Sequence, residues 1–189
     1  MEHDPRHIIA NRPMGRFQIG AVALCLLLFA LDGFDVLAVS FAAPGITAAW
    51  GIDRAQLGLV LSMELVGMSI GSLGLGRLAD RIGRRPTIIA CLVVMAVGMF
   101  TAATATGVVS LSIYRVFTGI GIGGMLASTS ALVAEYSNRK RRNVAVALMA
   151  AGYPVGAVVG GSVTAVLLAS FDWRAVFLFG GAVTAAFFP

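Results

Sequence analysis

Six long apolar runs fill this chain, separated by short polar connections: Phe17–Phe41, Leu57–Leu75, Thr87–Ala105, Gly107–Ala134, Val144–Leu168 and Ala175–Phe188. A bilayer core about 30 Å thick takes roughly 20 apolar residues of helix, so each run predicts a membrane-spanning α-helix. The sixth is shorter and stops beside the last residue, Pro189. The first run is too long for a signal peptide, carries acids in its middle and precedes five more spans, so an uncleaved helix is expected. The pattern predicts an all-α membrane protein, with residues 1–16 as a polar N-terminal tail and residues 17–189 as one six-helix transmembrane domain.

Composition sharpens this picture. Hydrophobic residues make up 58% of the 189 and charged residues only 12%. Soluble domains carry roughly 25% charged residues, so this chain lacks the polar surface that keeps a protein dissolved. Its net charge is +5 and its pI about 10.0. A nucleic-acid partner would need the basic residues gathered on one water-facing patch. They lie instead in short connections. Arg6, Arg12 and Arg16 precede the first run; Arg77, Arg81, Arg84 and Arg85 follow the second; Arg139, Lys140, Arg141 and Arg142 follow the fourth. These eleven share one side of the expected membrane, against Arg54 and Arg174 on the other. Basic connections stay inside, so a cytoplasmic N-terminus in the cell's inner (plasma) membrane is expected.

Small residues supply a packing pattern. Gly67 and Gly71 in the second run, Gly119 and Gly123 in the fourth, and Gly152, Gly156 and Gly160 in the fifth are spaced four apart. Helices in lipid associate where such residues let backbones approach. Pro154 removes a backbone donor in the fifth run and predicts a bend there, static or hinge-like. Cys25 and Cys91 lie in apolar runs and read as small apolar filler. No metal-ligand spacing, nucleophile–base pair or phosphate loop is visible, so neither an enzyme nor a cofactor site is expected.

Four ionisable residues fall inside the runs: Asp32, Asp35, Glu64 and Arg115. A charge at the centre of a spanning helix costs at least about 2.5–3.5 kcal/mol on insertion scales, which makes each a functional candidate. Asp32 and Asp35 lie three apart, on one helix face. Two carboxylates so close in a poorly hydrated place do not readily ionise together, and their protons leave in coupled steps. That suits a proton carrier; equally, the pair could cap a break at Gly33. Glu64 shares a face with Gly67 and Gly71 and should point into the bundle. Arg115 suits a bidentate grip on a substrate carboxylate, tuning of a coupling acid, or a structural ion pair with Glu64 or an aspartate. Three acids against one cation cannot all be paired as ions.

The connection "GRLADRIGRRP", Gly76 to Pro86, places Gly76, Asp80, Arg81, Gly83, Arg84 and Arg85 in a pattern that resembles the signature loop of the major facilitator superfamily. "RVFTGIGIGG", with Arg115, Gly119 and Gly123, is similar to that superfamily's fourth-helix motif, and "DWRAVFLFGG" to its entry into helix six. Within the superfamily, "LDGFD" resembles the D-G-x-D element of the aromatic acid:proton symporters, as do "AEYSNRKRR" and "GYPVGAVVGG". The resemblance implies a fold of 3+3 inverted repeats. It implies a proton-coupled carrier of small aromatic carboxylates such as hydroxybenzoate-type acids, with the proton as coupling ion. It also implies a cytoplasmic gate in which Asp80 and the arginines, with Glu135 at the end of the fourth run, steady one conformation. Members carry two six-helix halves, so this chain answers to the N-terminal half and the C-terminal half is its expected partner, beside the lipid bilayer. The rivals are half of a proton-driven efflux antiporter and a non-transporting fragment or assembly subunit. An antiporter should show an uninterrupted Gly-Pro element in the fifth run, where Tyr153 separates Gly152 from Pro154.

Overall fold

The computed structural model describes residues 15–138 and 140–188. They form six α-helices: α1 (Arg16–Trp50), α2 (Arg54–Ile82), α3 (Arg84–Ala103), α4 (Val108–Tyr136), α5 (Arg142–Ser170) and α6 (Arg174–Ala186). The first five are long and apolar enough to cross a membrane; α6 has 13 residues. Most of the tail predicted at residues 1–16, with Arg6 and Arg12, lies outside the described residues, as does Arg139; Arg16 already belongs to α1.

Helix ends are set by caps, not by the limits of apolarity. The α1 helix extends nine residues beyond Phe41, through Pro44, and stops where Gly51 turns left-handed at φ 62°. Asp53 opens α2 by accepting from the Gln56 amide at 2.8 Å, while the Gln56 side chain accepts from the Asp53 amide at 3.1 Å. This reciprocal cap satisfies two donors that a helix start leaves unpaired.

The arginine-rich connection is not a loop. Gly76, Asp80 and Arg81 lie on α2, Arg84 and Arg85 on α3, and Gly83 alone separates the two helices. Arginine is a good helix former, so polar residues continue a helix that hydrophobicity alone would end. Gly83, at φ 98°, is the one residue there that can take the required backbone turn. Pro86 falls in the first turn of α3, where its missing N–H leaves nothing unpaired. The break considered at Gly33 is likewise absent: α1 runs through it.

Glycines hold the bundle together. A Cβ on Gly71 would come within 2.8 Å of the Ile120 Cα, and one on Gly123 within 2.8 Å of the Met68 Cα, so α2 and α4 meet backbone to backbone. The same contact recurs between α1 and α5, where Gly156 sits against Ala30 and Gly33 against Tyr153. Shifting each helix by three places converts the α1–α5 pair into the α4–α2 pair, the relation expected of two three-helix repeats. The interior is mostly apolar, but the surface is apolar too, and four ionisable residues are enclosed. Asp32, Asp35, Glu64 and Arg115 are buried, while Leu65, Ile70 and Leu73 of α2 and Val144, Val158 and Val166 of α5 are exposed. Only an apolar solvent favours that arrangement.

Candidate functional site

Arg115 lies on the bundle-facing side of α4 and is fully enclosed. Its guanidinium reaches three other helices. Nη2 forms an ion pair with Glu64 Oε1 of α2 and donates to the backbone carbonyl of Asp35 on α1 at 2.9 Å. Nη1 lies 3.6 Å from the Met99 sulfur of α3. Nε meets no acceptor among the described residues. The glycine faces explain how such a cluster forms. Glu64 sits next to the contact where Gly119 packs on the α2 backbone, so a short reach joins the acid to an arginine one turn away on α4.

Asp35 presents its backbone, not its carboxylate, to Arg115. The carboxylate points at α6: Oδ1 would stand 3.4 Å from a Cβ on Gly180. Thr184 stands beside it, but that hydroxyl donates to the Gly180 carbonyl at 2.8 Å. The carboxylate oxygens of Asp32 and Asp35 are buried, with no hydrogen-bond partner among the described residues. The structure therefore gathers the four intramembrane ionisable residues at the bundle centre, but pairs only Glu64 with the arginine. Enclosing a carboxylate without a partner is costly, which sets the two aspartates apart from Glu64.

A second charged cluster lies at the end of the bundle that carries the arginine connections. Arg84 Nη2 bridges Asp80 Oδ1 at 3.0 Å and Glu135 Oε1 at 3.2 Å. One guanidinium thus ties the ends of α2, α3 and α4 together. Arg84 is partly shielded, whereas both acids are exposed, so the links are easily exchanged for water. Gly76 packs lightly toward Ala127 of α4, at 3.4 Å for an added Cβ. Gln18 Nε2 donates to the Tyr136 carbonyl at 2.9 Å, holding α1 to the same corner. A cavity of about 540 Å³ opens there, lined by Leu24, Leu28, Arg85, Ile88, Leu92 and Tyr136 among others.

Gly119 and Gly123 pack on α2, and Gly152 and Gly156 on α1; Pro154 lies between the latter two within an unbroken α5. Met99 and Thr184 complete the central cluster, yet nothing in the sequence singles out a methionine in an apolar run or a threonine near a helix end. Among the described residues no group of three or more His, Cys, Asp or Glu side chains could hold a metal.

This architecture is a glycine-zipped membrane helical bundle with charges at its centre. Residues 24–189 match the model of the Major Facilitator Superfamily, and the chain belongs to that family. It is 36% identical over 178 residues to the 4-hydroxybenzoate transporter PcaK of Pseudomonas putida, covering 94% of this chain and 40% of the relative. It is 35% identical to the 3-(3-hydroxy-phenyl)propionate transporter of Escherichia coli, covering 89% and 41% respectively. The gallate transporter of Pseudomonas putida is 33% identical, covering 98% and 41%. The chain thus spans about 40% of the length of these curated relatives. The proton:xylose symporter XylE bound to 6-bromo-6-deoxy-D-glucose superposes with a TM-score of 0.84 at 18% identity, over 93% of this chain and 44% of that one. That likeness shows the fold. Family and helices together make this a multi-pass membrane protein, and not an enzyme.

Proposed function

We propose that this chain is the N-terminal half of a proton-coupled symporter that imports small aromatic carboxylates of the hydroxybenzoate type. The observation that carries the reading is the buried cluster: one arginine of α4 reaching three other helices, with two enclosed aspartates left without partners beside it. A guanidinium is suited to a carboxylate, and enclosed acids are suited to taking and losing a proton as the site opens to each side. Relatives named for 4-hydroxybenzoate, gallate and hydroxyphenylpropionate support the substrate class. The N-terminus is proposed to face the cytoplasm of the inner membrane. The Asp80–Arg84–Glu135 bridge then closes the cytoplasmic end in the outward-open state and parts when that end opens. The proton is the coupling ion, and a C-terminal six-helix half completes the substrate path.

Uptake of labelled 4-hydroxybenzoate by the complete transporter in liposomes tests this. Accumulation should follow an acid-outside gradient and collapse when a protonophore is added. Uptake indifferent to the gradient, or net export, would defeat the reading.

A further inference from the structure

We propose that Glu64 is the exchangeable counter-ion of Arg115: an incoming substrate carboxylate takes the guanidinium, and a proton takes Glu64. This rests on the transporter reading above and adds a positioning residue to it. The argument is geometric. Of the three intramembrane acids, Glu64 alone touches the guanidinium with its side chain; Asp35 offers a backbone carbonyl, and Asp32 no contact. Glu64 and Arg115 are both enclosed, so neither is stable as an ion once the other is drawn away. A substrate anion that captures Arg115 therefore leaves an acid that must be neutralised. The Nε–H of Arg115, which meets no acceptor among the described residues, is available for a first contact with that anion.

The balance is simple. Glu64 carboxylate plus one proton from the medium gives the carboxylic acid, and Arg115 exchanges one carboxylate for another. No covalent bond changes except the new O–H on Glu64. The site begins with one positive and one negative charge and ends the same way, so substrate and proton enter together without net charge being buried. The groups facing Glu64 are Arg115 on α4, Asp35 on α1 and Tyr153 on α5; Asp32 lies beside Asp35, Cys91 of α3 faces Asp32, and α6 contributes the neutral Thr184 beside Asp35. None of these but Arg115 is a cation.

The test uses the complete transporter in liposomes as wild type, Glu64→Gln and Glu64→Asp, with 4-hydroxybenzoate as probe. In the wild type, KM should rise with pH by up to about tenfold per unit once Glu64 must be protonated for binding. In Glu64→Gln, which mimics the protonated acid, KM should change by less than about twofold over the same range, and Glu64→Asp should restore the slope. Gradient-driven accumulation by Glu64→Gln should fall about tenfold, while substrate counterflow falls less than about threefold. Infrared difference spectra of the wild type give a readout that needs no variant to fold: substrate should create a protonated-carboxyl band, shifted in Glu64→Asp. A wild-type pH slope and full accumulation in Glu64→Gln, or no such band, would overturn the inference while leaving the transporter reading intact. Absence of any wild-type uptake would overturn both.

Discussion

Arg115 concentrates more of this protein's chemistry than any other side chain. It is buried, and its guanidinium joins α4 to α1, α2 and α3 at the centre of the bundle. Lysine at this position would keep the charge but lose the planar fork. The Arg115→Lys transporter should therefore lose most of its uptake, at least about tenfold in kcat/KM, and unfold at lower temperature, since one ammonium cannot keep the contacts to Glu64, the Asp35 carbonyl and Met99 together. Normal transport would exclude bidentate recognition of the substrate. Asp80 presents the opposite case. It is largely exposed, so Asp80→Asn should cost less than about 1 kcal/mol of stability, yet slow the transport cycle if the bridge through Arg84 steadies one state. Parallel thermal-shift and uptake-rate measurements separate the two effects; an unchanged rate would remove the gate. Residue types at these places could be read directly from the sequence, because an ionisable group in an apolar run stands out against its cost. Their partners are legible in part: the sequence sets Glu135 beside the arginines of the connection, and leaves Arg115 with Glu64 or an aspartate. Asp80 and Arg84 meet because they lie four apart, whereas the whole of α3 and parts of α2 and α4 separate Glu64 from Arg115 along the chain.

The pairing of helices depends on glycine more than on interdigitated large side chains. Where a Cβ would strike a partner's backbone, substitution should be severe: Gly71→Ala and Gly156→Ala each press on main chain of the neighbouring helix, at Ile120 and Ala30. Overpacking of this kind costs about 1–3 kcal/mol, so both variants should lower the melting temperature of the purified protein. Gly74 shares α2 with Gly71 but has open space around its Cβ position, so Gly74→Ala should be neutral or slightly stabilising in the same melt. Equal losses at all three positions would deny the glycine faces their role. The spacing of four was visible along the chain. Which helix each face meets was not, because spacing names a face and never its partner. The helix limits were also only partly visible: hydropathy marks where lipid ends, while Gly51, Asp53 and Gly83 decide where the backbone turns.

Across the molecule, charge is sorted by depth. Arginines crowd one end, the two tryptophans meet at the other, and acids with one arginine occupy the middle. Trp173 packs edge-on against Trp50 at 5.3 Å between ring centres, and the Arg174 guanidinium lies 4.4 Å above its ring, which marks the end opposite Arg84. The proposed orientation is open to a direct check. Single cysteines at Asp53 and at Arg141 in an otherwise cysteine-free transporter should label differently in intact cells. An impermeant thiol reagent should reach the first and spare the second until the cells are opened. The reverse pattern would invert the orientation drawn from the arginine clusters.

The sequence by itself determined an all-helical membrane bundle, its basic end and the identity of its buried charges. Each of these follows from single-residue transfer energies or from neighbours within a helical turn. Tertiary structure alone decided that Arg115 pairs with Glu64 and turns only the backbone of Asp35 toward it, that the signature arginines lie on helix ends instead of a loop, and that α1 runs straight through Gly33 against Tyr153. The reason is physical: these outcomes depend on which backbones can approach one another across the bundle, and close approach between distant segments is a property of packed helices, not of any stretch of chain.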